Sequence, residues 1–126
     1  QADPTVMIGG TLPLLHSGYR VGQGDTIILE SCEYCNSFLN FFPTVAVILN
    51  VHADHLDFFK DLADIQHSFR RFAQLVPANG QIVANGDDKN TEDALRGLSY
   101  LRFGFAETND IVCEGDRSLP SCPRSS

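Results

Sequence analysis

The sequence lacks any long run of apolar residues, and it carries few positive charges. No apolar stretch reaches the roughly 18 to 20 residues that a membrane-spanning helix needs, so we expect no membrane span. Nine Lys and Arg stand against 16 Asp and Glu, a formal net charge of −7. This charge argues against a nucleic-acid partner, because binding to a phosphate backbone needs a basic face. It still allows a nucleotide held with Mg²⁺, since the metal supplies the missing positive charge.

The amino terminus lacks the features of a protein start and of an export signal. Residues Gln1 to Pro4 include no initiator Met, and no charged segment precedes an apolar stretch there. We therefore expect no signal peptide, and we interpret the sequence as one that begins inside a longer protein. With 126 residues, 43% of them hydrophobic, it has the material for one packed core or for a piece of a larger domain.

The four cysteines do not follow a common metal-binding pattern. Cys32 and Cys35 form a C-E-Y-C motif, but eight residues separate Cys113 from Cys122, whereas a four-cysteine zinc site usually pairs two short motifs. A redox pair of the thioredoxin type normally lies at the start of a helix within a different strand order. We interpret the four as reduced thiols of a cytosolic chain, with zinc as the alternative.

Short apolar runs that predict strands occur along most of the chain. We predict strands at residues 5–9, 25–30, 44–50, 81–84 and 100–105, and a loop or irregular hairpin at residues 11–24. The first is predicted to be buried. The run from Thr44 to Asn50 is the most hydrophobic, and it is continuous rather than alternating. That pattern is typical of a parallel strand covered on both faces.

A helix is predicted after residue 60, because apolar residues recur there at intervals of three and four. They share one face and are Leu62, Ile65, Phe69, Phe72, Leu75 and Val76. Pro77 and Asn79–Gly80 end this helix. Shorter helices are predicted at residues 36–42 and 91–98. Strands that alternate with helices indicate an α/β fold with a mostly parallel sheet and flanking helices.

Polar side chains follow three of the predicted strands. Glu30 ends the second strand, Asn50–Asp57 follows the third, and Asn85–Asp88 follows the fourth. Ligands of open parallel sheets bind at the carboxyl ends of strands, so we expect these residues to mark the functional site. The residues of Asn50–Asp57 alone allow three interpretations. The segment is a solvated loop in which Asp54 or Asp57 caps the next helix, a zinc site, or a Mg²⁺ site.

The order of these motifs resembles the Mur ligase family. Its members carry an acidic residue at the end of one central-domain strand and a motif N-x-x-x-D-H-x-D at the end of the next. This chain has I-I-L-E-S-C-E-Y-C-N-S-F-L, then P-T-V-A-V-I-L-N-V-H-A-D-H-L-D, V-P-A-N-G and V-A-N-G-D-D. The E-x-C-E-Y-x-x-S-F-L form and the opening D-P-T-V-M-I-G-G-T-L are most similar to the alanine-adding branch. We expect a partial central domain at residues 1–112, and a disordered or unrelated tail at residues 113–126.

The resemblance implies a fold, an activity and a metal site. The fold is that of the family's central ATP-binding domain, which is similar to P-loop NTPases. The activity is that of a cytoplasmic, ADP-forming ligase of peptidoglycan synthesis, which joins L-alanine to UDP-N-acetylmuramate through an acyl phosphate. Glu30 and His55 are implied as Mg²⁺-site residues, with Glu33 as a weaker alternative to Glu30. The residues implied to support the same loop by orienting the imidazole are Asn50, Asp54 and Asp57.

Besides the tail at residues 113–126, two features of the sequence depart from the family. The phosphate loop, of the form G-T-x-G-K-T-T, is absent. The segment Gly22-Gln23-Gly24-Asp25 does not replace it, because it precedes a strand and has no Lys. We therefore expect no nucleotide-binding residues here and no catalysis by this chain alone. His52 is the second departure, since the alanine-adding branch usually has Glu at that position.

The sequence alone leaves several alternatives open. A truncated, non-catalytic paralogue would share every motif, and so would a related ligase that attaches murein tripeptide to UDP-N-acetylmuramate. An unrelated α/β metal hydrolase would instead use His52, Asp54 and His55. The turn Asn85–Asp88 matches a turn of the family, and we expect its role to be structural.

Overall fold

The computed structural model describes residues 2–114, which divide into two compact units. The first unit runs to Cys32 and the second begins at Glu33, and each has its own sheet. Over these residues, none of the helices has the length and apolar character needed to cross a membrane. Apart from Cys113 and Glu114, the tail expected at residues 113–126 lies outside the described residues.

The first unit is a three-stranded sheet of β1 (Thr5–Leu12), β2 (Ser17–Arg20) and β3 (Ile27–Leu29), in the order β2-β1-β3. β2 runs antiparallel to β1 and β3 runs parallel to it. Of the loop and the irregular hairpin predicted at residues 11–24, the hairpin is present, because β1 and β2 pair with Leu12 opposite Ser17; the register shifts between Met7 and Leu12. The prediction of a buried first strand is wrong, since Met7 is 55% exposed. Residues 2–32 include no helix that could cover a face of this sheet.

The second unit contains a four-stranded parallel sheet in the order β4-β5-β6-β7. Its strands are β4 (Val45–Ile48), β5 (Gln81–Asn85), β6 (Leu101–Gly104) and β7 (Ile111–Val112). Its helices are a 3₁₀ helix (Tyr34–Asn40), α1 (Leu62–Gln74) and α2 (Lys89–Ala94). The predicted α/β fold with a mostly parallel sheet is confirmed. β7 was not predicted, because two residues are too few to show a hydrophobic period.

The long helix α1 forms where the apolar period predicted it. Asp61 caps its first turn, accepting a hydrogen bond from the N–H of Asp64 at 2.9 Å. The reading in which Asp54 or Asp57 caps this helix is therefore wrong. The predicted face packs against the core, which contains the buried side chains Phe38, Ala46, Ile48, Val51, Phe59, Ile65, Phe72, Ala73, Ala84 and Leu95.

The short helix α2 covers a different range from the predicted helix at residues 91–98. It begins earlier because Asp88 caps it, accepting a hydrogen bond from the N–H of Thr91 at 3.1 Å. It ends earlier, with Leu95 as the C-cap residue. Two residues later the chain adopts a left-handed conformation at Gly97, with φ of 84°, which glycine accepts without steric cost.

Strand β4 is covered on one face within this unit. Ala46 and Ile48 are 1% and 2% exposed and belong to the core, whereas Val45 and Val47 are each 56% exposed. Alternate residues of a strand point to opposite faces, so the two valines share the uncovered face. The prediction that this strand is covered on both faces is wrong for the described chain. A continuous apolar run does not reveal which of its residues find a packing partner.

Candidate functional site

The loop after β4 and the turn after β5 lie side by side at one edge of the second sheet. β4 and β5 are parallel, with Ile48 opposite Ala84, so their carboxyl ends meet at the same edge. One hydrogen bond then joins the two clusters, and a second joins the first cluster to α2. The N–H of Val51 donates to Asp88 Oδ2 at 3.0 Å, and Asn90 Nδ2 donates to the carbonyl oxygen of Val51 at 2.9 Å. Two of the three polar clusters thus lie together, as expected for the carboxyl ends of adjacent parallel strands.

The turn after β5 is held by a network around the Asp87 carboxylate. The N–H of Phe105 donates to it at 2.5 Å and the side-chain amide of Asn109 at 2.7 Å. These two hydrogen bonds, the first contributing more, hold the pKa of Asp87 below its usual value of 3.8. A Cβ atom on Gly86 would lie 1.9 Å from Asn109 Oδ1, so a larger residue there would force the Asn109 side chain to move. These contacts give the turn a structural role in this unit.

A tight turn fixes the backbone at His55. Its carbonyl oxygen accepts hydrogen bonds from the N–H groups of Phe58 at 2.9 Å and Phe59 at 3.0 Å. The Phe59 side chain is 2% exposed and belongs to the core, so it anchors the turn. His55 has φ of 55°, in the left-handed region that residues other than glycine rarely occupy. The polar loop therefore has a defined backbone at the residue that the sequence singled out.

The His55 imidazole contacts two residues at the start of the second unit. Its Nε2 atom lies 3.3 Å from Glu33 Oε1, and its ring centroid lies 4.8 Å from that of Tyr34, with the planes tilted by 46°. The His55 side chain is 42% exposed and that of Glu33 is 30% exposed. The imidazole is thus flanked on one side and open to solvent on the other, which leaves it able to meet a ligand.

Tyr34 links the imidazole to a carboxylate further along the loop. Its hydroxyl donates a hydrogen bond to Asp57 Oδ2 at 3.0 Å, and its ring meets Phe58 edge-on at 6.1 Å. The hydrogen bond to Asp57 raises the pKa of Tyr34 above its usual value of 10.0. Sequence reasoning named Glu33 and Asp57 but missed Tyr34. Its only signal was its place beside Glu33 in the motif of the alanine-adding branch.

Glu30 lies in the first unit, directly after β3. Its Oε2 atom accepts a hydrogen bond from the N–H of Gly9 at 2.7 Å, and the residue is exposed. In the second unit, Asn50 and Asp54 are also exposed, and the N–H of Asp54 donates to the carbonyl oxygen of His52 at 2.9 Å. Across residues 2–114, no group of three or more His, Cys, Asp or Glu side chains is arranged to hold a metal ion.

The cysteines of the described chain are unpaired. Cys32, Cys35 and Cys113 are exposed free thiols, whereas Cys122 lies outside the described residues. Cys35 adopts φ of 53°, within the kinked first turn of the 3₁₀ helix.

The sequence matches the family model of the Mur ligase middle domain over residues 11–119. It is also similar to curated proteins named UDP-N-acetylmuramate–L-alanine ligase. The protein of Clostridium botulinum (strain Hall) is 48% identical over 97 residues, which are 77% of this chain and 21% of the relative. The protein of Agathobacter rectalis is 45% identical over 116 residues, 90% of this chain and 25% of the relative. The chain therefore spans about a fifth to a quarter of the length of these relatives.

Two solved structures share the fold. One is the UDP-N-acetylmuramate:L-alanyl-γ-D-glutamyl-meso-diaminopimelate ligase from Neisseria meningitides. It gives a TM-score of 0.73 at 25% identity, over 86% of this chain and 39% of that one. The other is the UDP-N-acetylmuramate–alanine ligase MurC from Thermotoga maritima, with a TM-score of 0.69 at 24% identity, over 86% and 24% of the two chains. The family match covers most of the sequence and agrees with the parallel sheet, so this chain belongs to the Mur ligase family, as its middle domain.

Proposed function

We propose that this chain is the middle-domain part of an ATP-dependent ligase that joins L-alanine to UDP-N-acetylmuramate in peptidoglycan synthesis. The observation that carries the proposal is the identity of 45 to 49% with curated relatives of that name, over 75 to 90% of this chain. In the proposed reaction, the lactyl carboxylate attacks the γ-phosphate of ATP and releases ADP. The amino group of L-alanine then attacks the acyl phosphate, forms the amide bond and releases phosphate.

We further propose that Glu30 and His55 each supply a ligand to Mg²⁺. The chemistry of these side chains fits a cation. Glu30 offers carboxylate oxygens, which Mg²⁺ prefers, and the hydrogen bond from Gly9 engages one of them. His55 offers a half-exposed imidazole on a fixed turn. Bound Mg²⁺ would neutralise charge on the phosphoryl group as it transfers.

The role we propose for the chain's own residues is to hold the loop after β4 in one conformation. The hydrogen bonds of Val51 with Asp88 and Asn90 tie the start of this loop to α2. We propose that the exposed residues Asn50 and Asp54 support the same loop. Catalysis of this kind needs positioned reactants more than covalent chemistry from the protein.

Because the chain has no phosphate loop, we expect no ATP turnover by the 126 residues alone. The free thiols are compatible with the reducing cytoplasm that we propose as its location.

A second candidate is the tripeptide-adding activity that names the Neisseria structure, because that structure has the higher TM-score of the two. The lower identity of 25%, against 45 to 49% for the alanine-adding relatives, makes it the weaker candidate. The amino-acid substrate separates the two. We would therefore compare L-alanine with L-alanyl-γ-D-glutamyl-meso-diaminopimelate as the second substrate of one enzyme.

The experiment uses the full reading frame that contains this sequence in the source DNA. We expect the expressed protein to release ADP only when UDP-N-acetylmuramate and L-alanine are both present, and the change His55→Ala to abolish that release. Release of ADP with the tripeptide in place of L-alanine would favour the second candidate. A start codon at the position of Gln1, in a frame that gives a folded protein without ligase activity, would instead support the truncated paralogue.

The proposed metal ligands have a separate test on the 126-residue chain. We expect Mn²⁺, used as a paramagnetic substitute for Mg²⁺, to broaden the resonances of residues near His55. The variants Glu30→Ala and His55→Ala should each lose this broadening. Equal broadening in the wild type and in both variants would contradict the assignment of the ligands, whatever activity the full protein has.

A further inference from the structure

The contact between Tyr34 and His55 joins two segments that are far apart in the chain. Unusual backbone conformations occur on both sides of it. Cys35 and Asn36 have φ of 53° and 56°, directly after Tyr34, and His55 has φ of 55°. Left-handed conformations in residues other than glycine cost energy, and they persist only where the surrounding structure requires them. Three such residues flank this contact, so the backbone on both sides of it is constrained.

We propose that Tyr34 is a positioning residue, whose ring holds the His55 imidazole in one orientation while its hydroxyl anchors the ring to Asp57. The inference rests on the proposed function for its use, because there His55 acts as a ligand of a divalent cation. The holding of the imidazole itself does not depend on a metal.

The geometry restrains both ends of the tyrosine side chain. The ring lies against the imidazole at 4.8 Å, and the hydroxyl oxygen is 3.0 Å from Asp57 Oδ2. Phe58 contacts the same ring edge-on, at 6.1 Å. Since the turn at His55 already fixes its backbone, the freedom that is left lies in the rotation of its side chain. The Tyr34 ring restricts this rotation on one side, and Glu33 Oε1, at 3.3 Å from Nε2, restricts it on another.

Packing in the core does not explain the tyrosine. Tyr34 is 39% exposed and lies outside the core, whereas Phe38, beyond the kink at Cys35 and Asn36, is 2% exposed and stacks on Phe72 at 4.7 Å. The 3₁₀ helix is therefore attached to the core through Phe38. A residue at position 34 that served only to attach the helix would not need a hydroxyl or a contact with a histidine. Groups that orient a metal-binding imidazole typically change metal affinity by about 10- to 100-fold when they are removed.

The test uses the isotope-labelled 126-residue chain and the variants Tyr34→Leu and Tyr34→Phe, with Tyr19→Leu as the matched control. Tyr19 is also an exposed tyrosine, at 66%, and it lies in the first unit. Without metal, NMR reports the ring resonances of His55, identified by their loss in His55→Gln. We expect Tyr34→Leu to remove the ring-current contribution of Tyr34 to the His55 shifts, Tyr34→Phe to reduce it because the ring loses its anchor on Asp57, and Tyr19→Leu to keep it. The amide spectrum beyond the loop should stay unchanged in all of them.

The second measurement is a titration with Mn²⁺ alone. We expect Tyr34→Leu to lower the Mn²⁺ affinity about 10- to 100-fold, Tyr34→Phe to lower it less, and Tyr19→Leu to leave it unchanged. His55 ring resonances that are identical in the wild type and in Tyr34→Leu would overturn the positioning role. An absence of Mn²⁺ binding in the wild type would overturn the proposed metal ligands, while the metal-free ring shifts would still decide the role of Tyr34.

Discussion

Removal of the Asp88 carboxylate should strongly destabilise the second unit. One oxygen, Oδ2, accepts three hydrogen bonds: from the N–H of Val51 at 3.0 Å, the N–H of Thr91 at 3.1 Å and the hydroxyl of Thr91 at 2.5 Å. Val51 and Thr91 are both 0% exposed. In Asp88→Ala these donors lose their partner in a place that water reaches poorly.

The expected loss follows from the groups left behind. Loss of an N-cap typically costs about 0.5 to 2 kcal/mol, and each buried donor left without a partner costs about 1 to 3 kcal/mol. Contributions that share one carboxylate are not additive, so we expect Asp88→Ala to lower the free energy of unfolding by about 3 to 5 kcal/mol. A typical domain is stable by only about 5 to 15 kcal/mol, so this change is severe.

The assay is urea unfolding at neutral pH, followed by circular dichroism and extrapolated to zero urea. Asp93→Ala is the matched control, because it removes a carboxylate from the same helix. Asp93 pairs with Lys89 at 3.4 Å and with Arg96 at 2.6 Å, and both basic side chains are more than three-quarters exposed. Exposed ion pairs are worth about 1 kcal/mol or less. If Asp88→Ala cost no more than Asp93→Ala, the reasoning about its buried donors would be refuted.

Two further changes test the core and the turn after β5. Phe38→Ala should lower the free energy of unfolding by about 3 to 5 kcal/mol in the same urea assay, because Phe38 is 2% exposed. Phe42 is 83% exposed, so Phe42→Ala should lower it by about 0.5 kcal/mol or less. Equal losses would contradict the core assignment. The folded-state pKa of Asp87 lies below 3.8, chiefly because its carboxylate accepts a hydrogen bond from the N–H of Phe105. The ionised carboxylate therefore stabilises the fold fully above pH 3.8, and this stabilisation is lost as the pH falls through the lowered pKa. The Tm of the wild type should therefore exceed that of Asp87→Asn most clearly near neutral pH, and a difference that grows as the solution is acidified below pH 3.8 would contradict this sign.

The sequence was sufficient to predict features that depend on local pattern. The spacing of the apolar residues from Leu62 to Val76 places them on one face of any helix that they form. The burial of Ile65 and Phe72 therefore followed from spacing alone. The meeting of Asn50–Asp57 with Asn85–Asp88 also followed, because adjacent parallel strands bring their carboxyl ends to one edge. The order and spacing of the motifs along the chain were likewise sufficient to indicate the Mur ligase family.

Only the tertiary structure decided which of these residues have partners and which surfaces are covered. The apolar residues of β4 look alike in sequence, yet Ile48 is buried and Val47 is exposed, because burial depends on what packs against each face. The division into two sheets and the pairing of β7 likewise depend on contacts between distant segments. The same holds for Tyr34, whose contacts with His55 and Asp57 arise only once the chain between them has folded. Local pattern specified most of the elements and the loop that carries His55, and long-range packing selected the side chains that hold it.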